Sequence, residues 1–316
     1  MRQGSDATIF WKKYSLLNTS AYLTEKKCDK KNYCRFCKGD STQTVFSEIP
    51  LLPELLGKNQ VHTCEECDKC NDIFSDYESH LATFIRPFMT ILGIRSKNKV
   101  PTFQSRSIGG NNGSVTRISY HDESNRKLYV GLDKDLIIDK DNHMLSILFR
   151  YPPYIPTKIY KALVKIGRSL LPKDFDSHCS HIYQWLLSEH EDLDYVRYGF
   201  MTTLNGMYWP SPSAELYQAN RLHTKQEEYP EYTLVLRFAN QVFQIFLPFT
   251  DVQRRIHNNK RTLCLELMPA AIYNFSNGKQ KVYQIIPFEF GCNYPVTDNR
   301  KLQFKFSEMQ SYHTKE

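Results

Sequence analysis

The stretch NDIFSDYESHLATFIRPFMTIL places Ile73, Phe74, Tyr77, Leu81, Phe84, Ile85 and Phe88 at intervals of three and four. That spacing lines one face of a helix, so the pattern predicts an amphipathic α-helix up to about Pro87. Asp72 and Asp76 lie near its start, where the helix dipole favours negative charge. From residue 97 to 150 the pattern alternates instead. The runs SRSIGGNNGSVTRISYH, RKLYVGL and DLIIDKDNHMLSILF predict hairpins around Gly, Asn and Asp turns.

The segment YPPYIPTKIYKALVKIGRSLLPKDFDSHCSHIYQWLLSEH returns to helical spacing and predicts two helices. The first carries Ile159, Leu163, Val164, Ile166, Leu170 and Leu171 and stops before Pro172; the second carries Phe175, Cys179, Ile182, Tyr183, Leu186 and Leu187. Further on, YTLVLRFANQVFQIFLPF is two apolar runs about a polar turn, and RTLCLELMPAAIYNF and KVYQIIPFEF are further strand candidates. The last ten residues read as a frayed end. The pattern therefore predicts an α+β chain in three parts: an extension over 1–27 with one short helix, a small cysteine-rich module over 28–95, and an α+β region over 96–316. The last part divides into hairpins (97–150), helices (156–190) and a β-rich stretch (191–306).

Composition narrows the class. A chain of 316 residues can build one large core or two modest ones. Its 20 Tyr and 19 Phe favour sheet-rich structure. No apolar run approaches the roughly 20 residues that span a bilayer. The opening MRQGSDATIFWKKYS lacks the apolar block of a signal peptide. Both observations lead to the expectation of a cytoplasmic protein with no membrane partner. Charge is uneven: residues 1–40 hold nine Lys/Arg against four Asp/Glu, whereas 41–96 hold four against eight. A basic lead-in beside an acidic segment suits phosphate attraction next to a cation site, and equally a solvated lysine-rich tail.

Cysteine changes the picture most. Six of the nine cysteines fall within residues 28–70. In a reducing compartment such crowding favours metal over disulfides. Cys34 and Cys37 in YCRFCKGD form a C-x-x-C knuckle, with Gly39 expected to permit the tight turn. CEECDKCND offers Cys64/Cys67 or Cys67/Cys70 as a second pair. Cys67/Cys70 is preferred, because Cys70 would then sit in the first turn of a helix beginning at Asn71, where free N–H groups and the dipole stabilise a thiolate. Two such pairs make a tetrahedral site for a structural zinc. No βαβ context supports a thioredoxin-like pair. Cys28 and Cys64 remain as spares, either spectators or a second ligand set with His62. Cys179, Cys264 and Cys292 fall on apolar faces and read as core thiols.

The sequence CRFC, then FSEIPLLPELLG, then ECDKCND followed by F…E…LATF, resembles the HNH endonucleases of the ββα-metal type, in a bacterial subgroup whose zinc knuckles bracket the nuclease motif. PPYIPTKIYKALVKIGRSLLP is similar to a segment of that subgroup's longer proteins, so the resemblance spans about residues 33–190. It implies a zinc-bound ββα module at 28–95 and a second cation, Mg²⁺ or Mn²⁺, at a catalytic site. It also implies metal-dependent hydrolysis of a nucleic acid phosphodiester, with DNA ahead of RNA. A histidine on the hairpin would be the general base. The helix-start ligand falls on Asn71 and the residue that orients the base on Asn59. Glu48, Pro53, Glu54 and Gly57 match the frame, but Pro50 stands at the base position. Proline has no titratable group, so the base comes from elsewhere or is absent. Glu48, two residues away, and His62 and His80 are the nearest groups.

Each candidate also has a plainer role. Asn71 either ligates or caps the helix. Glu48 and Glu54 are solvated charges or catalysts. His80, spaced with Tyr77 and Phe84, packs half-buried on the helix. The expectation is an HNH endonuclease-like protein with hydrolysis impaired or rerouted. The alternative is a non-catalytic, zinc-dependent module that binds nucleic acid or another protein.

Overall fold

The computed structural model describes residues 8–23, 33–58, 61–96, 99–106, 115–122, 127–130, 136–189, 197–204, 208–222, 224, 226–249, 262–268 and 283–309. The elements begin with α1 (Thr8–Lys13), β1 (Tyr14–Thr19), β2 (Ile49–Pro50), β3 (His62–Thr63) and α2 (Asp68–Ile91). Five strands follow: β4 (Phe103–Arg106), β5 (Val115–Asp122), β6 (Lys127–Val130), β7 (Leu136–Asp139) and β8 (Met144–Arg150). Next come α3 (Pro156–Leu170), α4 (Ser180–Leu187), β9 (Tyr198–Leu204), β10 (Trp209–Ala219), β11 (Glu227–Glu228) and β12 (Tyr232–Ala239). The last are β13 (Gln241–Leu247), β14 (Thr262–Leu263), β15 (Tyr283–Glu289) and β16 (Asn299–Lys305). The chain is of the mixed α+β class.

Two six-stranded sheets carry most of the strands. The first has the order β1-β10-β12-β13-β9-β15 with every neighbour antiparallel. Its centre is the β12–β13 hairpin, whose two apolar runs are buried almost throughout. Ala239 takes a left-handed φ of 49° in the hairpin turn. The N-terminal residues contribute more than a short helix: β1 pairs with β10 over Tyr14↔Ala219 to Thr19↔Glu215. The second sheet has the order β16-β8-β4-β5-β6, with β7 also on β8. It contains the three expected hairpin pairings, β4–β5, β5–β6 and β7–β8.

Helix α2 joins these parts because its apolar stripe faces inward. Phe74, Tyr77, Leu81, Phe84 and Ile85 are all buried. The Phe84 ring centre lies 5.2 Å from those of Tyr154 and Phe288 and 6.1 Å from that of Phe243. Tyr151 carries the aromatic contact on to Phe149 and Phe103 of the second sheet. Burying a Phe or Leu fully contributes on the order of 1.5–3 kcal/mol. One apolar cluster accordingly runs from Cys34 and Phe36 through α2 and α3 to both sheets.

Four boundaries or placements differ from the sequence expectation. Helix α2 starts at Asp68, three residues before Asn71, and runs through Pro87 to Ile91. Pro87 lacks the N–H that would bond the Thr83 carbonyl, but its buried ring packs in the core and the helix continues. The second expected helix is partly 3₁₀: Lys173–Cys179 form a 3₁₀ turn, with Phe175 N bonding Pro172 O at 3.2 Å, before α4 begins. Among the described residues of RTLCLELMPAAIYNF (262–268), Thr262–Leu263 alone pair as a strand, and the rest of that run lies outside the described residues. There the Gln244 side chain takes the next backbone groups, donating to Glu266 O and accepting from Met268 N. Cys179 is a core thiol, but Cys264 and Cys292 are only half-buried.

Gly199 of β9 lies opposite Ile245 of β13. A Cβ there would stand 2.7 Å from the Gln244 carbonyl oxygen and 2.8 Å from Ile245 Cδ1. Backbone cannot yield as a side-chain tip can. Gly199→Ala is therefore expected to destabilise the protein by about 1–3 kcal/mol in a urea titration. A midpoint equal to wild type would mean that β9 and β13 are not so closely spaced.

Candidate metal centre

Two backbone turns bring the sulfurs together. In the first, Cys34 N bonds Gly39 O at 2.8 Å and Lys38 N bonds Cys34 O at 3.1 Å. The tight turn is made by Lys38, at a left-handed φ of 65°, and not by Gly39. Gly39 supplies space and a donor: its N–H reaches Cys37 Sγ at 3.4 Å, and a Cβ would lie 3.4 Å from that sulfur. In the second turn Cys67 is the N-cap of α2 and Cys70 the third helical residue. Cys70 thus occupies the first turn, as expected, although the helix begins earlier. Arg35 N bonds Glu65 O at 2.8 Å and joins the two turns.

The Sγ atoms of Cys34, Cys37, Cys67 and Cys70 all lie within 4.8 Å of one another. Cys34–Cys70 and Cys37–Cys67 are each 3.7 Å apart. A tetrahedron with Zn–S bonds of about 2.3 Å has edges of about 3.8 Å, whereas a disulfide is about 2.05 Å. The sulfurs therefore sit at ligand spacing, and the group could hold a metal such as zinc. Cys34, Cys67 and Cys70 are buried and Cys37 is exposed. A hydrogen bond from Cys70, aided by backbone N–H groups, holds the Cys34 thiol down at about 4 against the opposing effect of burial. That same bond, then burial and the neighbouring sulfurs, push Cys70 up. Four such thiols cannot all ionise without a cation among them, and four thiolates are the donor set that a tetrahedral soft-metal site requires.

Cys64 is outside this group. It is buried and disulfide-bonded, so it is neither a spare thiol nor a ligand beside His62. Cys28 and Asn59 lie outside the described residues.

Behind the sulfurs is an ionic network that hydrophobic patterning does not reveal. Lys161, Lys165 and Arg168 follow one another at i, i+4 and i+7 on α3, and all three are buried. Lys161 donates to the carbonyls of Trp185 and Ser188. Lys165 lies 3.2 Å from Glu66 and 3.2 Å from Glu78. Arg168 bonds Asp176 and the Tyr183 hydroxyl. Arg35, inside the first knuckle, donates to Glu65 at 3.0 Å, to Asp176 at 2.6 Å and to Leu171 O at 2.9 Å. Lys173 closes the set on Glu65 at 3.1 Å.

The partners share charge unequally. Burial outweighs Lys165 and pushes Glu66 up to about 7, helped by the Glu78 and Cys34 charges. Burial opposes the charge on Lys165, yet two carboxylates raise it. Glu66 is therefore the member that loses its charge first. The sequence signal for the network was the stripe of Lys and Arg inside an otherwise apolar helix, which a solvated face would also produce.

The remaining candidates scatter. Asn71 is the fourth residue of α2, half-buried, with its N–H on Cys67 O at 2.9 Å. It is thus inside the helix and does not cap it. Glu48 is exposed just before β2, and Glu54 sits in a 3₁₀ turn. His80 is half-buried: its Nδ1 accepts from Ile155 N at 3.1 Å, and burial, with Lys158 nearby, lowers its basicity. Across the β2–β3 pair, Pro50 is the direct antiparallel partner of His62. Directly opposed residues point to the same face with Cβ atoms about 4.5–5.5 Å apart. The His62 imidazole thus stands beside the position that Pro50 fills.

No protein-family model, curated protein or solved structure matches the chain. Among the described residues, no helix is long and apolar enough to cross a membrane.

Proposed function

We propose that the chain is an HNH-like phosphodiesterase acting on nucleic acid, DNA ahead of RNA. In this reading the four cysteines hold a structural zinc, and His62 supplies the base that Pro50 cannot. The observation that carries it is the Pro50↔His62 pairing, which puts an imidazole next to the vacant base position on a strand pair followed by a sulfur-clamped helix. His62 would take the proton of the attacking water on a ring nitrogen. Asn71 and Glu48 are the candidates to hold a second cation. Mg²⁺ or Mn²⁺ bound there would offset charge developing on the phosphate.

Purified protein with Mg²⁺ or Mn²⁺ is expected to nick supercoiled plasmid. His62→Ala should slow nicking by about 10²–10⁴-fold, the usual worth of a general base. Asn71→Ala and Glu48→Gln should stop nicking. Full activity in His62→Ala would reject this base.

A second reading has support of its own. The four-thiolate set is closed and tied to the core by buried ion pairs, as structural metals are. It is then a non-catalytic module that binds nucleic acid or a protein. Affinity for a duplex that falls steeply with salt, without cleavage, would favour binding to nucleic acid.

A further inference from the structure

Between the segment Thr63–Glu66 and helix α3 lies a small cavity lined by Arg35, Phe36, Thr63, Glu65, Glu66, Arg168 and Ser169. Two of these residues carry buried polar atoms with no hydrogen-bond partner: Oε1 and Oε2 of Glu66 and Nε of Arg168. Both residues are buried, at 1% and 0% exposure. Lys165 Nζ lies 3.2 Å from Glu66 Oε2 and offsets its charge, which leaves Oε1 without a partner. The other Arg168 nitrogens are engaged, on Leu171 O, Asp176 and Tyr183. Buried polar groups are paired in the great majority of cases; Lys165 faces Oε2, so Arg168 Nε and the Glu66 carboxylate call for one bridging occupant.

From this geometry we infer that the cavity binds one internal water, which accepts from Arg168 Nε–H and donates to Glu66. The size fits, because the space admits about one water molecule. The donor pattern fits as well. Arg168 Nε can only donate and an ionised Glu66 only accept, and water does both. Ser169 Oγ donates to Lys165 O at 3.0 Å and keeps lone pairs for the second water hydrogen.

Charge argues against an ion. The carboxylates of Glu65, Glu66, Glu78 and Asp176 face the cations of Arg35, Lys165, Arg168 and Lys173, so the formal charges cancel. A cation would confront Arg168, and an anion would confront Glu66. The water would join the segment that leads into the second knuckle to the helix behind it. The inference is independent of whether the chain cleaves nucleic acid.

The test is a high-resolution crystal structure of the full chain grown in rubidium chloride. Expected is a spherical density peak about 2.7–3.2 Å from Arg168 Nε and from a Glu66 oxygen, without a rubidium anomalous signal. An empty cavity, a rubidium peak, or Arg168 Nε turned onto a protein acceptor would each overturn it. In solution, ¹⁷O relaxation dispersion should lose one long-lived water in Ser169→Leu, whose side chain fills the space. A folded Ser169→Leu with unchanged dispersion would also overturn it. Should that variant fail to fold, the crystal experiment on wild-type protein decides alone.

Discussion

Removal of the metal by a strong chelator at neutral pH is expected to unfold the knuckles while leaving the far half of α2 in place. Without the cation the four sulfurs, all within 4.8 Å of one another, take up protons and lose the bonds that clamp the two turns together. Binding of a structural zinc is worth about 10–16 kcal/mol in small zinc domains, comparable with a typical domain's whole stability of about 5–15 kcal/mol. Amide exchange should accelerate over residues 33–50 and 61–72. Protection should persist around Phe84 and Ile85, which the aromatic contacts with Tyr154, Phe243 and Phe288 hold independently. About one zinc per chain should appear in a colorimetric assay as protection falls. A double Cys34→Ser, Cys70→Ser variant should bind none. Unchanged exchange after metal removal would show that the ion is dispensable, and a metal retained by the double variant would show that the ligands are others.

Lys165→Met is expected to cost about 3–5 kcal/mol, measured by urea denaturation. The ammonium is 1% exposed and faces two carboxylates, one of which is equally buried. Methionine fills similar space but leaves Glu66 and Glu78 without a counter-charge. Adding Glu66→Gln and Glu78→Gln should recover much of the loss, since the damage comes from uncompensated charge and not from lost packing. A single-variant loss under about 1 kcal/mol would mean that the pair is hydrated or already neutral. Failure of the triple variant to recover would place the effect in packing.

Much of this was legible in the sequence where a short-range rule applies. Helix α2, helix α3 and the three hairpin pairings follow from periodicity and turn residues. The grouping of Cys34, Cys37, Cys67 and Cys70 follows from two C-x-x-C spacings, with Cys70 preferred over Cys64 because it falls at a helix start. Three features were not legible because each depends on distant partners. Strand β1 is short and half-exposed, and nothing local distinguishes it from a tail. Nothing local marks Lys161, Lys165 and Arg168 as buried until Glu66, Glu78 and Asp176 are brought against them. The opposition of His62 to Pro50 depends on strand register across eleven intervening residues, and two-residue strands carry no register signal. The likeness to HNH endonucleases rested on Glu48, Pro53, Glu54, Gly57 and the cysteine frame. It predicted a strand pair followed by a helix but not where the imidazole would come from.

The position of β1 bears on how the protein is made. Tyr14–Thr19 leave the ribosome early, yet their partners, Glu215–Ala219, are translated some 200 residues later. At roughly 5–20 residues per second that delay is on the order of 10–40 s. Throughout it the nascent chain carries Phe10, Tyr14 and Leu17 with no sheet to receive them, so a chaperone that shields apolar segments during synthesis should meet this protein at that segment.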